Sequence, residues 1–219
     1  MVNVNTVYKL TKKLLNDNQI TDRFPIEDWE DFAELAQLDV VRRLRKAYES
    51  GTIVTDNTSN LKAEKLIQVV NGAITKPEDY LFYNAPLTRL FYKDNEGNQK
   101  STLRGVDLVT DAELGDRLAS QFDKPTITYP ILVDYQDTFN VYPEEMTSVK
   151  LTYIRKPKKP KWGFIDVDGE PVYDPATSVD FELPIDMTGE LVYRIAELMG
   201  VNVRSADAVQ YGATKTQQA

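Results

Sequence analysis

The side chains that carry most biological proton transfer, metal binding and nucleophilic attack are missing from this sequence. It holds no His and no Cys among 219 residues. Ser-His-Asp and Cys-His arrangements, thiolate sites, disulfides and the usual zinc centres are therefore excluded. Carboxylates, amines and phenols remain. Acids pair at Glu27/Asp28/Glu30/Asp31, Asp134/Asp137, Glu144/Glu145 and Asp166/Asp168, and such pairs can bind Ca²⁺ or Mg²⁺ or divide acid–base work, as in a carboxylate-based glycoside hydrolase. Simpler readings cover them. The first cluster sits where a helix dipole favours negative charge, the Asp134 and Asp168 groups are turn formers, and Asp166-Val167-Asp168-Gly169 lacks the remaining ligands of a calcium loop. The ten glycines form no phosphate-cradling loop. The reading is a protein that is not an enzyme, with no catalytic, metal or cofactor residues.

A second constellation is cationic. Arg155, Lys156, Lys158, Lys159 and Lys161 fall within seven positions, with Trp162 next to them. The interspersed prolines favour an extended path. Three roles stay open: a connection between strands whose charges face acidic neighbours, a contact with another subunit, or a DNA contact through phosphates and a stacked base. The rest of the chain sets 21 of the 26 basic residues against 34 acids, and the whole carries −8. Nonspecific nucleic-acid binding needs cations that displace counterions, so this balance argues against coating DNA. Of the aromatic residues, 12 are Tyr. Most lie in or beside expected strands and read as packing, with some lining a subunit interface.

The elements that must position these residues are helical at the ends and β in the middle. Val4, Val7, Tyr8, Leu14 and Leu15 recur at helical spacing, and the spacing predicts a first helix ending near Asn16. A long helix is expected over Pro25–Ser50, with acids at its start, Arg42, Arg43, Arg45 and Lys46 near its end, and Gly51 closing it. Strands are expected at Lys65–Val70, Asp79–Tyr83, Arg89–Lys93, Thr126–Tyr129 and Ser148–Arg155, with hairpin tips at Asn95–Asn98 and Asp168-Gly169. Thr110-Asp111-Ala112-Glu113 has capping-box spacing and opens a helix carrying Leu114, Leu118, Ala119 and Phe122. A last helix covers Asp186–Met199. The expected fold is α+β: N- and C-terminal helices forming a bundle, with a central antiparallel β domain. The segments are 1–60 (helical hairpin), 61–184 (β, with an inserted helix at 110–122) and 185–219 (helix and extended tail). With no long apolar stretch and no basic leader, no membrane association is expected.

Several stretches, in a consistent order along most of the chain, resemble neck or ring proteins of tailed bacteriophages, particularly the crAss-like group. They are Val2–Tyr8, Asp79–Asn84, Arg117–Ser120 followed by Lys124–Thr126, Tyr142-Pro143, Tyr153–Pro157 leading to Pro160–Trp162, Ser178–Pro184, and Leu198–Asn202. The resemblance implies a portal-adaptor or head–tail connector subunit, assembled in the bacterial cytoplasm and located in the neck or tail of the virion. Its partners would be copies of itself in a ring, commonly dodecameric, the portal protein, other neck or tail rings, and genomic DNA passing through without specific binding. Under this reading Arg155, Lys156, Lys158, Lys159, Lys161 and Trp162 contact a subunit or partner. A tail with Arg204, Val209, Tyr211 and Lys215 docks on the portal.

Overall fold

Two β sheets share one apolar core in the middle of the chain, and the residues on either side of that stretch fold together as a helical unit. The computed structural model describes residues 1–17, 25–52, 57–84, 88–94 and 96–199. The helical unit comprises residues 1–60 and 157–219, and the β unit residues 61–156. The β unit thus closes at Lys156 rather than at 184. The chain turns back into the helical unit at Pro157, because the segment after it pairs with the N-terminal helices and not with the sheets.

In the helical unit, α1 covers Val4–Asp17 and α2 covers Ile26–Glu49. Glu27 and Asp28 lie in the first turn of α2 and Lys46 in its last, which complements the dipole. Pro25 flanks the helix as its cap residue instead of opening it. Trp29, Ala33, Ala36, Val40 and Val41 form the buried stripe at three- and four-residue spacing. The last helix, numbered α4 in chain order, covers Thr188–Leu198 and packs against both α1 and α2. A 3-10 turn at Ile185–Met187 precedes it, so the helix starts two residues later than expected.

The β unit contains β1 (Lys62–Gln68), β2 (Ala73–Thr75), β3 (Tyr80–Tyr83), β4 (Thr88–Lys93), β5 (Gln99–Arg104), β6 (Asp107–Val109), β7 (Ile131–Asp134), β8 (Thr138–Tyr142) and β9 (Met146–Arg155). One sheet has the order β1-β9-β4-β5, with β3 also paired to β9, and the other runs β2-β8-β7-β6. Ile74, Leu132, Phe139 and Val141 of the second sheet meet Leu90, Met146, Val149, Leu151 and Tyr153 of the first in one core. Strand β9 is central. It takes β1 along one edge and β4 and β3 along the other.

Four short strands, β2, β6, β7 and β8, escape the sequence reading, and β6 and β7 are parallel rather than antiparallel. Their connection contains helix α3 (Asp111–Ala119), opened by a complete capping box. Glu113 N–H donates to Thr110 Oγ1, while Thr110 N–H and hydroxyl both reach the Glu113 carboxylate at 2.8 and 3.0 Å. The helix stops at Ala119, short of 122. Ser120 Oγ accepts the N–H groups of Phe122 and Asp123, and Phe122 stands in solvent. Thr126–Tyr129, expected as a strand, is a closed turn in which the two end residues exchange backbone hydrogen bonds. Pro125 and Pro130 bracket it, so neither flanking position has an N–H with which to extend a ladder.

The capping box yields a pair of outcomes. Thr110→Ala should cost about 1 kcal/mol in chemical denaturation. The Thr110 backbone N–H and hydroxyl hold the Glu113 carboxyl below its ordinary range. This lowered value makes the stabilisation present above the ordinary carboxylate pKa and lost as pH falls through the folded one. An NMR titration should place the Glu113 midpoint below that of an unstructured Glu.

Candidate functional site

The cationic run ends β9 and then lies along the helical unit as an extended strap. Its backbone is held at Lys158, Lys161 and Trp162. Lys158 N–H donates to Glu182 Oε2, and Lys158 C=O accepts from Gln37 Nε2, both at 2.8 Å. The same Gln37, fully buried on α2, accepts from Glu182 N–H at 2.8 Å. Lys161 and Val179 exchange backbone hydrogen bonds at 3.0 and 2.9 Å. Trp162 N–H donates to Glu30 Oε1 at 3.0 Å. One buried amide on α2 thus links the strap to the segment leading into α4, which is why a Gln occupies a position otherwise reserved for apolar side chains.

The side chains divide by task. Pro157, Pro160 and Trp162 are buried, whereas Lys156, Lys158, Lys159 and Lys161 are exposed and Arg155 is intermediate. Lys159 Nζ pairs with Asp31, with Glu34 3.9 Å away. Its ammonium is held above its usual value chiefly by the hydrogen bond to Asp31. The acids at the start of α2 therefore face a cation of the same chain. Burial pushes the Glu30 carboxyl up, against the opposing pull of the Trp162 N–H and of Lys161 and Lys159.

Trp162 is 5% exposed, and its ring is already stacked. Tyr8 of α1 lies parallel to it at 4.3 Å, and the indole N–H donates to Asn5 Oδ1 at 3.2 Å. Tyr8 in turn meets Trp29 edge-on at 5.1 Å, and Trp29 meets Phe181 at 6.4 Å. Trp162, expected from the sequence to contact a subunit or partner, is the hub of an internal aromatic cluster, and within this chain its ring keeps little exposed surface for stacking.

Beyond the strap, Phe164–Val167 and Glu170–Tyr173 form strands β10 and β11, a two-stranded ribbon. Phe164 and Tyr173 touch Trp162 at 5.9 Å each. Ile165, Val167 and Val172 are about half exposed. The sequence reading singled out the Asp168-Gly169 tip and missed this surface. The alternation of Ile165 and Val167 on one side of a Gly turn was the available signal. Gly163 joins strap to ribbon by necessity, since a Cβ there would lie 2.2 Å from Thr177 Oγ1 and 2.7 Å from the Thr177 carbonyl carbon.

Two of the other paired acids, Asp134 and Asp166, are engaged locally. Asp134 pairs with Lys76, whose Nζ also donates to the Gln136 carbonyl at 3.2 Å and sits over the Tyr80 and Phe139 rings. Asp166 accepts the Gly169 N–H at 2.8 Å. Among the described residues, no three acids converge as metal ligands would. No described helix is long and apolar enough to cross a membrane. Arg204, Val209, Tyr211 and Lys215 lie outside the described residues.

If the strap is structural, stability should follow its buried parts and ignore its charge. Trp162→Ala should cost about 3–5 kcal/mol in denaturant unfolding. Gly163→Ala should also be clearly destabilising, whereas Lys159→Ala should change stability by about 1 kcal/mol or less, the pair being exposed.

No protein-family model matches the chain, and no curated protein is significantly similar to it.

Proposed function

We propose that this chain is a structural subunit of a bacteriophage neck, a portal adaptor or head–tail connector. In this reading it assembles with copies of itself into a dodecameric ring closed around the DNA path between capsid portal and tail. The finer architecture belongs to the same reading: terminal helices forming a bundle that meets neighbours and the portal, with the β unit extending towards the tail. The observation that carries it is the β10–β11 ribbon. A two-stranded ribbon is marginal by itself, and this one leaves Ile165, Val167 and Val172 about half exposed on one face. Such surface is what an assembling subunit keeps for a neighbour. The order of the matching stretches along the sequence and the acid excess support the same reading, because an acidic wall lets DNA slide instead of holding it.

The competing DNA-contact reading loses its stacking group to the Tyr8 cluster and one of its cations to Asp31. The assembly reading predicts that mass photometry finds species larger than one chain, enriched when portal protein is added. A strict monomer under both conditions overturns it. It also predicts no retention of duplex DNA at physiological salt, and salt-sensitive retention abolished by Lys158→Glu with Lys161→Glu would favour the DNA-contact reading instead.

A further inference from the structure

The backbone of the ribbon identifies the edge that remains free. Asp168 and Gly169 both have positive φ, 56° and 86°, the signature of a tight type I′ turn. Such a turn makes Val167–Glu170 the first hydrogen-bonded pair, so Ile165–Val172 and Gly163–Asp174 follow in alternation. The Asp174 N–H indeed donates to the Gly163 carbonyl at 2.8 Å. The outward backbone groups are then those of Phe164 and Asp166 on β10, and of Pro171 and Tyr173 on β11. Pro171 has no N–H and blunts its edge. The β10 edge is intact.

The β unit ends in a matching edge. Among the described residues, strand β5 is the last in its sheet and pairs with β4 alone. The Asp94 N–H donates to the Asn98 carbonyl at 3.0 Å, which sets the parity of that hairpin. Gln99, Ser101 and Leu103 accordingly face their backbone groups outward, and no proline interrupts them. The charges select the pairing. Strand β5 carries Arg104 and Lys100, the latter exposed with Asp94 3.4 Å away, and no acid of its own, while the ribbon carries Asp166, Asp168 and Glu170 and no base. Two ribbons edge to edge would set acid against acid, which is destabilising across strands. The other outer strand, β1, offers Glu64 among its lysines.

We infer that β10 of one copy adds antiparallel to the β5 edge of a second copy. This rests on the self-assembly proposed above and names its contact. In this register Phe164 lies opposite Leu103, Ile165 opposite Thr102 and Asp166 opposite Ser101. The half-exposed Phe164 and Leu103 cover each other, and the acidic tip lies beside Lys100. Because the two edges differ, the contact is head-to-tail, and each copy offers one of each, which is the arrangement that closes rings.

The absence of cysteine makes the test clean. Ile165 and Thr102 would form a non-hydrogen-bonded pair, whose spacing of about 4.5 Å suits a disulfide. Mixing the single variants Ile165→Cys and Thr102→Cys under oxidation should give a covalent dimer, whereas neither variant alone should. Ile165→Lys should keep the wild-type melting curve and weaken assembly by about tenfold or more. If the wild type forms oligomers but the mixed variants do not cross-link and Ile165→Lys assembles normally, this contact is wrong and the assembly reading stands. Ile165→Cys cross-linking to itself would replace it by a symmetric ribbon pair. A wild type that stays monomeric with portal, together with no cross-link, overturns both.

Discussion

The helical unit depends on the burial of one indole. Trp162 brings its backbone to Glu30 of α2, its ring to Tyr8 and its N–H to Asn5 of α1, and its far edge to the ribbon. These elements are distant in sequence, and a chain with no Cys has no disulfide to tie them. An aromatic side chain has the area to stabilise such a junction by several kcal/mol and a polar handle to fix its orientation. Pro157 and Pro160 stiffen the approach on both sides of Lys158 and Lys159, so less conformational entropy is lost when the strap docks.

This explains an apparent contradiction in the strap's composition. A cluster of five cations ending in Trp looks like a nucleic-acid contact, yet its apolar members turn inward while Lys159 pairs with Asp31 of α2. Lys159 neutralises part of the negative charge that Asp31 and Glu34 place near the start of that helix. Exposed pairs of this kind add little stability. They set which face of the strap meets the helix, because reversing it would bury ammonium groups.

The helices were largely legible because their signals are local. The stripe from Trp29 to Val41 and the Thr110–Glu113 box require no knowledge of what packs on them. The β unit was legible in part: long, β-branched β9 and the β4–β5 hairpin could be read, whereas three-residue β2 and β6 have no periodicity to detect and owe their conformation to their partners. Thr126–Tyr129 has the composition of a strand, but its end residues spend their backbone groups on each other and prolines bracket it. The inward turn of Trp162 was not legible, because it depends on Tyr8 and Asn5, more than 150 residues away. The strap's extended path, by contrast, follows from its prolines.

The helical unit is discontinuous: its first part ends at Asn60 and its second begins at Pro157. The β unit is an insertion whose two ends meet, with Lys62 opposite Ile154 in the β1–β9 ladder. During translation the whole insertion leaves the ribosome before the strap does, and domains fold as units as they emerge. Until then, α1 and α2 lack the indole and the α4 surface that complete their core. The ribbon follows the strap directly, so the β10 edge proposed to meet a neighbour is made only as the helical unit that carries it becomes whole.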